Sequence, residues 1–286
     1  MIATNRPKID PGQTAESLIK TIKIPPCPAM LMDVQKELAH QDPEPARLAA
    51  LIANDVALAA SLLKLANSSF FGLRLQARSV VHAVNLLGMN QSAMLISGII
   101  LRQSVPSENH SLEKFWSTST RRAHAMTRLA QSMRICAGDL AYTFGLFCDI
   151  GIPLLLNRFD DYHIVLEQAY QSRDQKFTDI EEQHYMTSHA ALGSLMARTW
   201  GLPEVITQGI LLHHDYDVLE DNATEELVRA LIALSLMAEY AIQRYQGSES
   251  SNEWLKGGDL ACHFLGVSQD EVDEHIDEVI EVFNRV

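Results

Sequence analysis

The chain has 286 residues, of which 47% are hydrophobic and 21% charged, and its formal net charge is −13 at pH 7. This length and composition are typical of a globular protein that can bury a sizeable core. The acidic balance argues against binding to nucleic acid or to an anionic membrane, which both favour basic stripes. The four cysteines lie far apart without a C-x-x-C pair, which argues against a disulfide framework or a zinc ribbon and favours a reducing cytoplasm.

No uninterrupted apolar run reaches the ~18 residues that a membrane helix needs. The longest run, residues 145–156, is interrupted by Asp149, Gly151 and Pro153. The first residues also lack the hydrophobic core of a signal peptide. We therefore expect a cytoplasmic protein that neither spans a membrane nor is exported.

The first third of the chain carries repeated signals for helix starts and stops. Residues 1–13 are polar and are predicted to form a flexible tail before a helix that Thr14 caps. Pro28 suits the first position of a helix, and Asp55 and Ser79 are suitable N-caps. Predicted helices cover roughly residues 14–22, 29–40, 45–53, 56–66, 80–87 and 91–103.

Within this region the helix over residues 56–66 is apolar on most of its surface, which predicts a central position in a lobe. Asn67 is expected to end it in the left-handed region, with Phe70 and Phe71 folding back as anchors. Asn90 is predicted to cap the last helix of the region.

The rest of the chain shows the same alternation of helix signals. A long helix over residues 112–136 precedes a helix that starts at Gly138 and carries Cys148 and Asp149 before Gly151 interrupts it. Further helices are predicted over residues 162–172, 189–200, from Pro203, and over 224–245, 251–264 and 268–283. We find no alternating strand pattern.

These patterns predict an all-α fold. Residues 14–245 are expected to form one domain, with an N-terminal lobe (14–104) and a second lobe (110–245) joined by a short linker. The lobes should pack as one unit, because their leucine-rich faces need cover. Residues 251–286 are expected to form a C-terminal helical extension.

Three histidines and one aspartate stand at the edges of the apolar helical runs: Asp149, His189, His213 and His214. Imidazole and carboxylate groups gathered in a helical core are the ligands of a metal-assisted phosphohydrolase site.

Several short motifs occur in a fixed order along the chain. They are Ile24-Pro25-Pro26-Cys27-Pro28, residues 51–58, residues 62–68, residues 83–88, Phe115-Trp116, residues 189–193, Trp200-Gly201-Leu202-Pro203 and His213-His214. Taken together, over about residues 22–245, they resemble the HDOD family, the HD-related output domain of bacterial signalling proteins. The resemblance implies an HD-domain-like multi-helical bundle in two packed lobes.

The resemblance also implies an incomplete metal site. Enzymes of the HD superfamily hold their metal with a first histidine, a His-Asp pair and a final aspartate. Thr118 stands in the place of the first histidine and Cys148 in that of the paired one, whereas Asp149 remains and Glu239 stands in the place of the final aspartate. His124 cannot substitute, because six residues turn a helix by about 600° and place it on another face.

The surviving polar residues define a candidate pocket: Cys148, Asp149, His189, His213, His214 and Glu239. In one interpretation, Asp149, His189 and His213 or His214 hold a residual transition ion. In the other, which we expect, they are inherited core groups that hydrogen-bond to one another, with no catalytic residue and no cofactor beyond an adventitious transition metal. Cys148 is expected to be buried and not to act as a nucleophile.

The basic residues of the long helix are expected to form a solvated face rather than a track for phosphates: Arg121, Arg122, Arg128 and Arg134. The sequence shows no arginine or lysine beside the histidine motifs that could hold a phosphate.

The resemblance therefore implies a stand-alone regulatory module that binds a signalling protein, such as a kinase or a cyclic-dinucleotide enzyme. The alternative is a divergent metal-dependent phosphohydrolase that acts on a nucleotide or cyclic dinucleotide. A third interpretation is a small-ligand site in the cleft between the lobes.

Overall fold

Helix is the only regular structure in the part of the chain that the computed structural model describes, residues 21–22, 24–68, 71, 75–105, 111–248 and 251–284. This confirms the predicted all-α class. The predicted tail, nearly all of the first predicted helix, Phe70 and most of the predicted linker lie outside the described residues.

The described helices are, in chain order, α1 (Ala29–Leu38), α2 (Pro45–Ala53), α3 (Val56–Ala66), α4 (Val80–Leu87), α5 (Met89–Ser104), α6 (Ser111–Ser132), α7 (Gly138–Phe147), α8 (Gly151–Arg158), α9 (Tyr162–Gln171), α10 (Phe177–Tyr185), α11 (His189–Thr199), α12 (Glu204–Leu212), a 3₁₀ turn (Tyr216–Leu219), α13 (Glu226–Tyr245), α14 (Asn252–Leu265) and α15 (Gln269–Phe283).

Several helix starts follow the predicted capping chemistry. The side chain of Asp55 accepts hydrogen bonds from two backbone N–H groups of α3, and that of Ser188 accepts one from Ala191 of α11. Ser79, Ser251 and Ser268 cap α4, α14 and α15 in the same way. Helix α10 was not predicted, because it begins after Lys176 without a side-chain cap.

Two predicted helix boundaries are wrong, the start of α5 and the C-terminal end of α6. Helix α5 begins at Met89 with Gly88 as its N-cap, not after Asn90, because the positive φ of Gly88 (85°) turns the chain from α4 into α5 without a spacer. Helix α6 ends at Ser132, earlier than predicted, because Arg134 adopts a left-handed φ of 56°.

The end and the faces of α3 also differ from the prediction. Asn67 has a φ of −86° and is not left-handed. Instead, its side-chain amide donates to the carbonyl oxygen of Ala77 at 3.0 Å and accepts from the N–H of Ala77 at 2.7 Å, which closes the loop before α4. Phe71 packs against the core as expected. Val56 is 83% exposed, so α3 is buried on one face only.

The helices of the two predicted lobes share one hydrophobic core. Helix α5 packs against α1, α3 and α4 and also against α7, and buried residues from Leu48 in α2 to Phe147 in α7 form a single cluster. The indole N–H of Trp200 donates to the carbonyl oxygen of Pro25 at 2.9 Å, and its ring meets that of Phe147 edge-on at 6.0 Å. The motif segments 24–28 and 200–203 therefore meet where the lobes join.

Helix α13 organises the C-terminal half, since it packs against α6, α12, α14 and α15. Helices α6 and α7 approach closely at Gly145, where a Cβ would lie 2.9 Å from the Cα atom of Ala123. This contact requires glycine, and it brings α6 beside the turn that follows α7.

By length and composition alone, the stretch Gly138–Arg158, which comprises α7, α8 and the turn between them, is long and apolar enough to cross a membrane. However, 78% of its apolar window is buried inside the protein, as in the core helix of a soluble protein. The pair α4 and α5 passes the same test only if the two helices, bent by 119°, are taken as one span.

His124 of α6 allows a test of this packing. It is buried beside the ring of Tyr142, and burial lowers its pKa from the ordinary 6.5 to about 4. Between these pH values the unfolded chain binds a proton that the folded chain does not, so His124 makes the fold less stable as the pH falls. In His124→Gln we expect the free energy of unfolding to depend less steeply on pH in this range, by up to about 1.4 kcal/mol per pH unit.

Urea unfolding at a series of pH values measures this slope. His163→Gln, at an exposed histidine, is the control and should keep the wild-type slope. An unchanged slope in His124→Gln would contradict the buried, neutral state of His124.

Candidate functional site

One buried cavity is lined by all six residues that the sequence singled out: Cys148, Asp149, His189, His213, His214 and Glu239. Cys148 and Asp149 lie in the turn between α7 and α8. His189 begins α11, His213 and His214 follow α12, and Glu239 lies in α13. Thr118 and His124 of α6 do not line this cavity.

A glycine contact brings the turn with Asp149 against the start of α11. A Cβ on Gly151 would lie only 2.0 Å from the carbonyl oxygen of His189. Any larger residue would push α8 away from α11. Because Ser188 caps α11, His189 is the first residue of that helix, and its carbonyl oxygen is the atom that Gly151 approaches.

Arg122 is the buried cation of the cluster, and the prediction that it belongs to a solvated face is wrong. Its side chain is 6% exposed, whereas that of Arg128 is 43% exposed. One terminal nitrogen of Arg122 donates to Oδ2 of Asp149 and the other to Oε2 of Glu239. Burial disfavours the carboxylate, yet Arg122 holds the pKa of Asp149 well below its ordinary value. A basic side chain therefore does lie beside the histidine motifs.

His189 is held in place by Glu181 of α10. The Nδ1 atom of His189 lies 2.8 Å from Oε2 of Glu181, which also accepts the backbone N–H of His189 at 3.0 Å, while Oε1 accepts from the hydroxyl of Tyr162. Since a carboxylate only accepts, Nδ1 of His189 carries the proton and its Nε2 atom is an acceptor when the ring is neutral. Burial opposes the charged ring, but Glu181 raises the pKa of His189.

The ring of His213 has the same proton arrangement as that of His189, with Nδ1 as the donor and Nε2 as the acceptor when the ring is neutral. Its Nδ1 atom lies 2.7 Å from the carbonyl oxygen of Ile210 and must donate to it. Its Nε2 atom then lies 3.2 Å from Nε2 of His189 and 3.3 Å from Oδ1 of Asp149. Three lone pairs face one another in a buried place, so a proton or a metal cation must lie between them. Although burial disfavours the charged ring, Cys148 and Asp149 raise the pKa of His213 to about 9, which supplies that proton at neutral pH.

His214 is backed by Glu253 of α14. The Nδ1 atom of His214 lies 3.0 Å from Oε2 of Glu253, which also accepts from the hydroxyl of Tyr216 at 2.5 Å, and the ring of His214 stacks on Phe177 at 4.5 Å. Burial and the neighbouring His213 lower the pKa of His214 to about 4. Burial opposes ionisation of Glu253, yet the hydrogen bond from His214 lowers its pKa to about 2. A neutral His214 thus donates through Nδ1.

Four side chains each offer one ligand atom, and these atoms lie within 4.8 Å of one another: Asp149, His189, His213 and His214. Three imidazole nitrogens and one carboxylate oxygen suit a transition ion better than magnesium. Glu181 and Glu253 orient two of the imidazoles, as carboxylates commonly do around metal ligands. Arg122 already pairs with Oδ2 of Asp149, so only Oδ1 faces the donor set. The residues therefore fit one transition ion, and a proton satisfies the same lone pairs.

The free volume of this cavity is about 20 Å³. A buried water needs roughly 10–15 Å³ on this measure, and small-molecule sites typically have about 300–1,000 Å³. The cavity as described has space for a water molecule or an ion and none for a nucleotide.

An open depression of about 500 Å³ lies in the cleft between the predicted lobes. Gly88 and Met89 line it from the N-terminal lobe, and Gln131 and Gly138 line it from α6 and α7. Its volume falls in the range of small-molecule sites, but it is open to solvent, unlike the enclosed apolar pockets that such ligands favour.

The sequence interpretation missed three charged residues of the cluster, Arg122, Glu181 and Glu253. Arg122 had a signal, because it follows Thr118 by four residues and so lies on the same face of α6. Glu181 had none, since helix α10 was not predicted. Glu253 belongs to the predicted C-terminal extension, and only the folded chain shows that this extension reaches the site.

Comparisons with known proteins agree with this architecture. The family model described as "HDOD domain" matches residues 24–216. A curated protein of Treponema pallidum (strain Nichols), itself uncharacterized, is 26% identical over 197 residues, which are 67% of this chain and 38% of that protein. This chain thus spans well under half the length of that relative.

Three solved structures have similar folds. A candidate signal transduction protein from Marinobacter aquaeolei VT8 has a TM-score of 0.70 and 20% identity, with 94% of this chain and 59% of that chain covered. A candidate phosphohydrolase from Shewanella amazonensis SB2B has a TM-score of 0.70 and 18% identity, with 95% of this chain and 97% of that chain covered. An HDOD domain protein with unknown function from Geobacter sulfurreducens has a TM-score of 0.67 and 22% identity, with 93% of this chain and 95% of that chain covered. At such identities they show the fold alone, and they confirm the predicted HD-domain-like helical bundle.

Loss of the Arg122 guanidinium should destabilise the folded protein. Arg122→Met leaves the carboxylates of Asp149 and Glu239 buried without their cation, and we expect it to lower the free energy of unfolding by roughly 3–5 kcal/mol. Arg128→Met is the matched control on the same helix. It removes an exposed pair with Glu278 and should cost less than about 1 kcal/mol.

Denaturant unfolding of both variants measures the difference. Adding Glu239→Gln to Arg122→Met should recover part of the loss, because one uncompensated charge is removed. Equal stability of Arg122→Met and Arg128→Met would show that the buried pairs do not organise the site.

Proposed function

This chain belongs to the HDOD family, and from that membership we propose that it is a regulatory module of bacterial signal transduction that acts by binding another protein rather than by catalysis. The proposed partner is a signalling protein such as a kinase or a cyclic-dinucleotide enzyme, and the proposed location is the cytoplasm. Because the chain spans 38% of its curated relative, the activity of any longer protein is also part of the proposal.

The observation that carries the proposal is the position of Arg122. Asp149 and Glu239 stand where the resemblance places two of the metal ligands of an HD enzyme, and both are ion-paired to its guanidinium. A metal ion would have to share Asp149 with a cation that is covalently part of the chain, because Arg122 takes Oδ2 and leaves only Oδ1 as a ligand atom. Replacement of the two expected histidines by Thr118 and Cys148 weakens the metal site further.

The size of the cavity supports the same proposal. Hydrolysis of a phosphoester needs a metal with an open coordination position and room for the phosphate beside it. The free volume of about 20 Å³ leaves no such room. The cluster is better suited to hold α6, α8, α11 and α13 together than to turn over a nucleotide.

The alternative is a divergent metal-dependent phosphohydrolase for a nucleotide or cyclic dinucleotide. It is favoured by the four ligand atoms that lie within 4.8 Å of one another. Arg122 would then serve as the phosphate-binding cation, which requires that its pairs with Asp149 and Glu239 open.

Glu239→Gln separates the two functions. The substitution keeps the size of the side chain, and the new amide oxygen can still accept from Arg122, so the variant should fold. It removes, however, a carboxylate that the resemblance places among the metal ligands of an HD enzyme. We expect the variant to restore in full whatever signalling output is lost when the gene is deleted. We also expect wild-type protein with manganese, iron or nickel to hydrolyse nucleotides and cyclic dinucleotides no faster than Asp149→Asn.

Wild-type turnover that is lost in Asp149→Asn would favour the enzyme, and its loss in Glu239→Gln as well, with failure of that variant to restore the output, would add Glu239 to the site. A gene deletion that changes no signalling output would contradict the regulatory function.

A further inference from the structure

Helix α14 covers the histidine cavity from one side. Glu253 in its first turn is buried and reaches His214 and Tyr216. The side-chain amide of Asn252 donates to the carbonyl oxygen of Tyr170 at 2.9 Å. His214, Tyr216, Tyr170 and Glu253 all line the cavity, so α14 forms part of its wall.

The fit of α14 depends on a second glycine contact. A Cβ on Gly257 would lie 2.4 Å from the ring of Tyr216. The helix therefore rests directly on the residue whose hydroxyl binds Glu253, and a side chain at position 257 would lift the helix or displace the ring.

Unlike its neighbours, α14 has no large apolar side chain that is fully buried. Its buried residues are Glu253, Gly257, Gly258 and Ala261. By contrast, α15 buries Val272, Ile276, Val279 and Phe283 in the main core. Burial of large apolar side chains is what makes a helix costly to detach, at about 1.5–3 kcal/mol each. Helix α14 has none that is fully buried, whereas α15 has four.

The contacts of α14 are divided between two clusters, since Trp254, Cys262 and Leu265 are half-buried against the main core. Ala261, Leu260 and Phe264 pack against a second, smaller cluster that includes Tyr216 and Leu236. Glycines with positive φ lie on both sides of the helix, Gly247 (84°) and Gly266 (68°). Such positions accommodate the backbone changes of a hinge with little strain.

We propose that α14 is a displaceable cover of the histidine cavity, kept closed by Glu253 and by the contact of Gly257 with Tyr216. When it lifts, the carboxylate of Glu253 passes into solvent, His214 loses its acceptor, and the lining that includes Cys148 becomes accessible. The proposal does not depend on the function proposed above, since such a cover can control access of a protein partner, an ion or a substrate equally.

Hydrogen exchange of the full-length wild-type protein tests whether α14 detaches from the fold on its own. Segments that open locally exchange their amides faster than segments that open only with global unfolding. We expect the amides of α14 to exchange about tenfold faster or more than those of α13 and α15, as a difference of about 1.4 kcal/mol in opening would produce. Exchange of α14 as slow as that of α15 would overturn the proposal.

Alkylation of Cys148 tests whether lifting α14 opens the cavity. Cys148 is 1% exposed, and mass spectrometry of its peptide separates its labelling from that of the other cysteines. Gly257→Ala and Glu253→Ala should each speed the labelling by about tenfold or more. Leu255→Ala, at a side chain of α14 that is 63% exposed, is the control and should label at the wild-type rate.

Two variants are used because Gly257→Ala strains the fold. Circular dichroism confirms that each variant keeps its helical content before labelling. If folded Glu253→Ala and Gly257→Ala label Cys148 no faster than Leu255→Ala, α14 is a fixed wall and the proposal is wrong. The assay measures access alone, so its outcome is independent of whether the protein signals or catalyses.

Discussion

The buried guanidinium of Arg122, between the carboxylates of Asp149 and Glu239, is the interaction on which the rest of the site depends. A carboxylate in a dry interior costs several kcal/mol unless it is paired and hydrogen-bonded. By taking Oδ2 of Asp149, Arg122 leaves Oδ1 facing His213 at 3.3 Å. The lone-pair arrangement that calls for a proton or a cation follows from that choice, because Nε2 of His213 then faces both Oδ1 of Asp149 and Nε2 of His189.

From this centre the polar contacts run outward in two similar arms. His189 is backed by Glu181 and Tyr162, and His214 by Glu253 and Tyr216. In each arm a carboxylate accepts from Nδ1 of an imidazole and from a phenolic hydroxyl. The arms come from α9 and α10 on one side and α14 on the other, so the cluster links helices that are distant in sequence. A buried network of this kind specifies one arrangement of helices, because each unpaired member would be costly.

Close backbone contacts hold the cluster in register. Gly145 lets α6 approach α7, and Gly151 lets α8 approach α11, so Arg122, Asp149 and His189 are placed by the helices rather than by flexible side chains. Trp200 connects this region to the N-terminal lobe through Pro25 and touches Phe147, directly before Cys148. The joint between the lobes is therefore packed against the element that carries Asp149.

The sequence was sufficient to predict the helical class and the family, because helix caps, apolar periodicity and ordered motifs are local signals. The six residues that it singled out line one cavity. The sequence failed where tertiary contacts override local ones. Arg122 looks like an exposed basic residue until the helices around it are known, and Asn67 looks like a helix terminator although it pairs with Ala77. Glu181 and Glu253 gave no local signal, since their roles depend on contacts with His189 and His214.

The central claim is that Arg122, and not a metal ion, neutralises Asp149 and Glu239. It is tested most directly by anomalous X-ray diffraction, above the absorption edges of zinc, nickel and iron, from crystals of protein purified without chelator. The account predicts guanidinium density between the two carboxylates and no anomalous peak among Asp149, His189, His213 and His214. A fully occupied metal peak there, with Arg122 turned away from Asp149, would contradict it.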